Sequence, residues 1–147
     1  MIRRGNIKDL DTIVKYNYNL AKETENLELD KEILKKGVRT ALEDNGNGIY
    51  FVYEKDDMVV GQIMITKEWS DWRNGDYWWI QSVYVNKDYR GQGIFTQLFD
   101  YVKYLAERSN NVCSLRLYVE KKNERAKDTY KSKGMKETHY LMYEIKK

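Results

Sequence analysis

Asp88-Tyr89-Arg90-Gly91-Gln92-Gly93-Ile94-Phe95 follows an apolar run from Trp78 to Val85 and precedes an amphipathic segment. In order, this reads as a strand, a turn and the start of a helix. Two glycines separated by one residue let the backbone bend without Cβ clashes. The N–H groups from Gln92 to Thr96 can then converge at the positive end of the helix that follows, which makes a cradle for a phosphate. After Gly93, the apolar residues Ile94, Leu98, Val102 and Leu105 recur at three-and-four spacing, with Phe95, Phe99 and Ala106 beside them. That spacing predicts a helix with one buried face.

A second segment runs from Asn123 through Ala126 and Tyr130 to Gly134 and Met135. It predicts a short helix with Asn123 as N-cap and Gly134 just past the C-terminus. Either segment alone is weak, because a short glycine turn is more often punctuation than a ligand site. Together they are specific. Arg90 to Phe95 resembles the R-x-x-G-x-(G/A) loop of the GNAT (GCN5-related) N-acetyltransferases, with Phe95 where Gly or Ala is usual. Asn123 to Met135 resembles the N-x-x-A-x-x-x-Y-x-x-x-G-(F/M) motif of the same family.

At 147 residues the chain is long enough for one core and short for two, so residues 1–147 are expected to form a single domain. Hydrophobic residues at 41% and charged residues at 33% suit a globular protein rather than a disordered one. No apolar run approaches a membrane span, and Met1-Ile2-Arg3-Arg4 lacks the apolar core of a signal peptide, so the expected location is the cytoplasm. Cys113 is the only cysteine, which excludes an internal disulfide or a multi-cysteine metal cluster. Its strand-like surroundings predict a small buried residue, and the lone His139 reads as structural. No metal is expected. A net charge of +3 does not call for nucleic acid, since Glu124, Asp128, Glu137 and Glu144 interrupt the C-terminal lysines.

Along the chain, residues 1–4 read as a strand. Asn6 to Asp9 opens a helix burying Ile7, Leu10, Ile13, Val14 and Leu20, and Asp30 caps another burying Ile33, Leu34, Val38, Ala41 and Leu42. The second helix stops at Asn45-Gly46-Asn47-Gly48. Residues 49–54 and 58–66 flank a tight turn at Lys55-Asp56-Asp57. Residues 78–85 and 112–119 follow as strands, with Leu115, Leu117 and Val119 on one buried face.

This order matches the α+β GNAT acyl-CoA N-acyltransferase fold, a mixed, mostly antiparallel sheet with splayed middle strands flanked by helices. The resemblance implies that the pantetheine arm of acetyl-CoA lies between strands 78–85 and 112–119, on backbone groups of Val83, Tyr84 and Val85. It implies a cofactor set of Arg90, Gly91, Gln92, Gly93, Ile94, Phe95, Thr96, Asn123 and Tyr130. It also implies a final hairpin, for which residues 135–147 leave room only as one long strand or a very tight turn.

Transfer of acetyl to an amine needs a fixed thioester, a neutral amine and a proton for the leaving thiolate. Tyr130 matches the family's tyrosine proton donor. Gln81 stands where polyamine-type relatives carry a glutamate base, and an amide cannot take a proton. Glu68 is the substitute read from the sequence. The stretch Glu68-Trp69-Ser70-Asp71-Trp72-Arg73, with Glu23, Glu25 and Glu28, is expected to border the acceptor. Its acids and aromatics suit a cationic amine, and Arg73 suits a carboxylate. An amino-acid-like amine or a polyamine is the acceptor read first. A protein amine, or an acyl-CoA-binding regulatory module without turnover, are the alternatives. Homodimers occur in this family and are compatible with the chain.

Overall fold

The protein is described here by a computed structural model covering residues 1–44 and 46–147. It comprises two compact units, Met1–Leu117 and Tyr118–Lys147. The first holds strand β1 (Ile2–Arg4), helices α1 (Leu10–Glu25) and α2 (Lys31–Glu43), strands β2 (Ile49–Lys55), β3 (Met58–Ser70) and β4 (Gly75–Val85), helix α3 (Ile94–Glu107) and strand β5 (Val112–Leu117). The second holds helix α4 (Glu124–Ser132).

The five strands form one sheet in the order β1-β2-β3-β4-β5, antiparallel except for the parallel pair β4–β5. Asp56 and Asp57, at φ 52° and 59°, make the two-residue turn between β2 and β3. Alternation along the strands sends side chains to two faces. On one face Tyr50 and Val52 pack with Leu10 and Ile13 of α1 and Val38 and Ala41 of α2. Toward the other point Gly61, whose added Cβ would meet Ile94 and Leu98 of α3 at 3.0 and 3.3 Å, and Phe51, whose ring lies 5.4 Å from that of Tyr101.

Several expectations change. Residues 135–147 carry no strand, and from Lys136 onward every side chain is exposed, so the shortened segment makes neither the single strand nor the tight hairpin. Ile33 is 70% exposed because it lies one position off the stripe that Leu34, Val38 and Ala41 turn inward. Ile7 is exposed in a 3-10 turn ahead of α1. Cys113 is exposed rather than buried, since β5 is an edge strand with one neighbour. Asn45 of the expected helix stop lies outside the described residues, whereas Asp44 closes α2 by accepting from Gly46 N–H at 3.0 Å.

Asp9 locks the start of α1 to β1. Its carboxylate accepts from both terminal nitrogens of Arg3 at 2.8 and 2.9 Å, and from Asn6 N–H at 2.8 Å. Burial pushes its pKa up, but the bonds from Arg3 and Asn6 outweigh that and hold it below the ordinary carboxylate value. A depressed folded pKa contributes stability above the unfolded value, and that stability is lost as pH falls through the folded one. Asp9→Asn should therefore lower unfolding free energy by about 2 kcal/mol at pH 7, with the difference from wild type shrinking below about pH 4 in urea titrations.

Candidate active site

Ser82 sets the geometry of β4. The β3–β4 register pairs Met64 with Gln81 but Gln62 with Tyr84, so Ser82 and Val83 together oppose Ile63. This is a β-bulge, and Ser82 takes it up at φ 52°. The extra residue shifts the alternation by one, so that Gln81 and Tyr84 both face α1, and the Tyr84 ring lies 5.0 Å from that of Tyr16. Such a φ is costly for serine and persists only when its surroundings impose it.

Gln62 imposes it. The side chain is fully buried, and its Nε2 donates to Ser82 O at 3.0 Å and to Asn17 Oδ1 at 2.7 Å. Asn17 Nδ2 in turn donates to the Tyr50 hydroxyl at 2.9 Å, and burial raises the pKa of that phenol. α1 is thus wired to β2, β3 and the bulge. Gln62 Oε1 is buried without a partner among the described residues, so only a water or a ligand donor could satisfy it.

β5 ends before β4 does, which leaves a gap in the ladder along the edge of β4 beyond Ile80. Their pairing ends at Ile80 with Leu117, whereas β4 runs on to Val85. Asn86 N–H donates to Val60 O of β3 at 2.8 Å. By the period of two, Tyr84 turns its backbone groups to β3, and Val83 and Val85 turn theirs to the gap. Of these three predicted residues, Tyr84 therefore contributes little main chain to the gap. The Val85 carbonyl already accepts from Arg90 Nε at 2.9 Å.

The glycine loop follows. Gly91 and Gly93 have φ 79° and 80°, a region other residues enter at a cost. A Cβ added at Gly91 would meet nothing within 4 Å, and one at Gly93 only Gln97 Nε2 at 4.0 Å, so the space over the loop is open. Gly93 caps α3 without a side-chain bond, and its first turn, from Ile94 through Phe95 and Thr96, holds no acid. The Phe95 ring packs beside Phe99, centroids 6.0 Å apart. Lys55, from the β2–β3 turn, places Nζ 2.8 Å from Gln92 Oε1. An anion fits such a loop, with backbone amides and one lysine around it.

Arg90 sends its side chain elsewhere. Besides Val85 O, it contacts Glu23 at 3.1 and 3.2 Å and lies 5.2 Å over the Tyr84 ring. Glu23 is thereby engaged by the motif arginine, and Glu28 pairs with Lys22 at 3.5 Å.

On the α1 face, past the helices, β3, β4 and β5 present a polar and aromatic row. Trp79 Nε1 donates to Glu68 Oε1 at 3.1 Å, and Gln81 Nε2 to Thr66 Oγ1 at 2.6 Å. The Arg116 guanidinium stacks 3.7 Å from the Tyr77 ring centroid and 5.9 Å from that of Trp79. Trp69 and Trp72 are 65% and 85% exposed, and Arg73 lies in the turn between them and β4. Because β3 and β4 stay paired out to Ser70 and Gly75, that turn is held at the far tip of a long hairpin.

In the second unit, Asn123 Oδ1 caps α4 by accepting from Ala126 N–H at 3.1 Å. Gly134, at φ 90°, ends the helix, with Met135 N–H bonded to Tyr130 O at 3.1 Å and Gly134 N–H to Lys131 O at 3.0 Å. Burial raises the Tyr130 phenol above its ordinary pKa. Sequence reasoning found the positive-φ glycines and the helix caps. It missed Gln62, Asn17, Lys55 and Arg116, none of which stands in a local pattern.

Comparison with known proteins agrees with this fold. The acetyltransferase (GNAT) family model matches residues 14–135, and the chain belongs to that family. The crystal structure of a possible acetyltransferase from Clostridium difficile 630 is 55% identical, with TM-score 0.96, over 99% of this chain and 96% of that one. A predicted acetyltransferase with acetyl-CoA from Clostridium acetobutylicum shares the fold at 19% identity and TM-score 0.80, over 99% and 95% of the two chains. A ribosomal-protein-alanine N-acetyltransferase from Brucella melitensis biovar Abortus 2308 shares it at 17% identity and TM-score 0.78, over 99% and 97%. No curated protein matches. The chain is a GNAT-type, acetyl-CoA-dependent N-acetyltransferase. Among the described residues, no helix is long and apolar enough to cross a membrane, and no group of three or more His, Cys, Asp or Glu could hold a metal.

Gln62→Met should leave Ser82 O and Asn17 Oδ1 buried without a donor, a loss of about 2–3 kcal/mol in urea unfolding. Acetyl-CoA affinity, measured by calorimetry, should fall with it as the bulge relaxes.

Proposed function

We propose that this enzyme acetylates the primary amine of a small molecule, either amino-acid-like or a polyamine. The observation that carries the reading is the gap beside Val83 and Val85, with the open glycine loop at one end and the Glu68–Trp79–Gln81 row at the other. Acetyl-CoA supplies an acyl carbon already activated as a thioester. The amides from Gln92 to Thr96 hold its pyrophosphate, aided by Lys55. The backbone groups of Val83 and the Val85 N–H hold the pantetheine arm.

An alkyl ammonium of pKa ~10.4 must lose a proton before it can attack, which costs about 4–5 kcal/mol at neutral pH. Glu68 is the carboxylate on the acceptor row, and it draws the ammonium in and takes that proton directly or through water. Gln81, tied to Thr66, shapes the row without titrating. Tyr130 gives its proton to the departing sulfur. Burial keeps that phenol protonated at neutral pH, as a donor requires. Asn123 orders the start of the tyrosine's helix.

Acetyl-CoA should raise the melting temperature by mass action, and Gly93→Ala should abolish the shift. The substitution should itself cost only about 1–2 kcal/mol, the strain of alanine at φ 80°. An unchanged shift in that variant would remove the loop from the cofactor site. Tyr130→Phe should lower kcat about 10–100-fold with little change in acetyl-CoA affinity, whereas Gln81→Ala is mild. Full turnover by Tyr130→Phe with chemistry rate-limiting would assign the proton to solvent.

A further inference from the structure

Arg116 is a half-buried cation near the end of β5. Among the described residues of 1–117 no carboxylate lies at ion-pair distance from it, as is also true of the exposed Arg73 and Arg108, but Arg116 is the one that lies on the face of the sheet beside Glu68, Tyr77 and Trp79. Its guanidinium carbon lies over the Tyr77 ring and within reach of Trp79, contacts that restrict the side chain while its N–H groups can still donate. Stacking lowers the entropy lost when a planar anion binds, and a guanidinium edge matches a carboxylate in bidentate geometry.

Its place in the sheet gives that anion a role. Arg116 pairs with Trp79, one step before the last β4–β5 pair, at the mouth of the gap. Tyr77 is also the register partner of Glu68 on β3, and the Glu68 carboxylate accepts from Trp79. One face of three neighbouring strands therefore offers a carboxylate on β3, two aromatic rings on β4 and a guanidinium on β5. Opposite charges across aromatic rings complement a zwitterion, and a cationic site alone would not need Arg116.

We propose that Arg116, stacked on Tyr77 and Trp79, binds a carboxylate of the acceptor, so that the substrate class is an amino acid or an amine bearing a carboxylate rather than a polyamine. This rests on the acetyl-transfer reading for its reaction but not for its binding. Arg73, which the sequence suggested for this task, sits at the exposed hairpin tip.

The test compares ω-amino acids from glycine to 6-aminohexanoate with the alkylamines of matching length, in the wild type, Arg116→Gln and Arg116→Lys. The wild type should favour at least one amino acid over its matching alkylamine by about 10–100-fold in kcat/KM. Arg116→Gln should erase that ratio through the acceptor KM and not the acetyl-CoA KM, and Arg116→Lys should restore part of it. Equal turnover of amino acids and alkylamines by the wild type, or an equal loss of both in Arg116→Gln, overturns the assignment while leaving acetyl transfer intact. Calorimetric titration of hexanoate and 6-aminohexanoate into the same proteins reads the site without turnover. If no amine is acetylated, the acetyl-transfer reading fails, and Arg116-dependent binding still supports the carboxylate site. Wild-type binding that Arg116→Gln retains, or none in the wild type, overturns it.

Discussion

One amide nitrogen, Gln62 Nε2, holds the feature from which the rest of the site follows. By donating to Ser82 O it keeps an extra residue in β4, and by donating to Asn17 it ties that residue to α1. The bulge makes Tyr84 face α1 and turns the backbone of Val83 away from β3, past the last β4–β5 pair at Ile80 and Leu117. A regular β4 would invert every side chain beyond residue 81 and set Tyr84 against α3. Fully buried polar groups usually cost more than they return unless every bond is made. Here the return is the shifted register that sets Tyr84 on the α1 side and the Val83 main chain on the open edge of β4.

The same bulge divides the chemistry by position along β4. On the loop side of Ser82, groups are backbone amides and carbonyls, which bind without regard to protonation. On the hairpin side they are the charged and aromatic side chains Glu68, Tyr77, Trp79 and Arg116. The first half suits a large invariant ligand gripped through its main-chain-like atoms. The second suits a small variable ligand distinguished by charge. One strand can serve both because its side chains alternate while its edge hydrogen-bonding groups do not depend on residue type.

Sequence reading was strongest where a local backbone demand fixes residue type. Gly91, Gly93 and Gly134 have positive φ, Asn6, Asp30 and Asn123 accept from amides of the first turns they open, and each of these is a short-range rule. The two-residue turn at Asp56 and Asp57 was legible for the same reason. Gln62, Asn17 and Tyr50 were not, because their pairing joins residues distant in sequence and a glutamine inside an apolar strand carries no signature of its partner. Ile33 misled because a β-branched apolar residue beside a helical stripe looks like part of it. Residues 135–147 misled because apolar letters there find no ladder to join.

Arg90 separates a motif's letter from its expected use. Its guanidinium is committed to Val85 O and to Glu23, at the end of α1, so the positive charge nearest the glycine loop is largely neutralised. Both partners are substantially exposed, and such a pair contributes no more than about 1 kcal/mol of stability. Its effect is geometric instead. Arg90 bridges the end of β4 and the end of α1 just before Gly91, where the loop leaves the sheet. On the proposed reading, anion attraction falls to the helix amides and Lys55, groups whose direction is set by backbone and by one hydrogen bond. A cradle built this way needs no arginine pointing at its ligand, only an arginine that holds its frame.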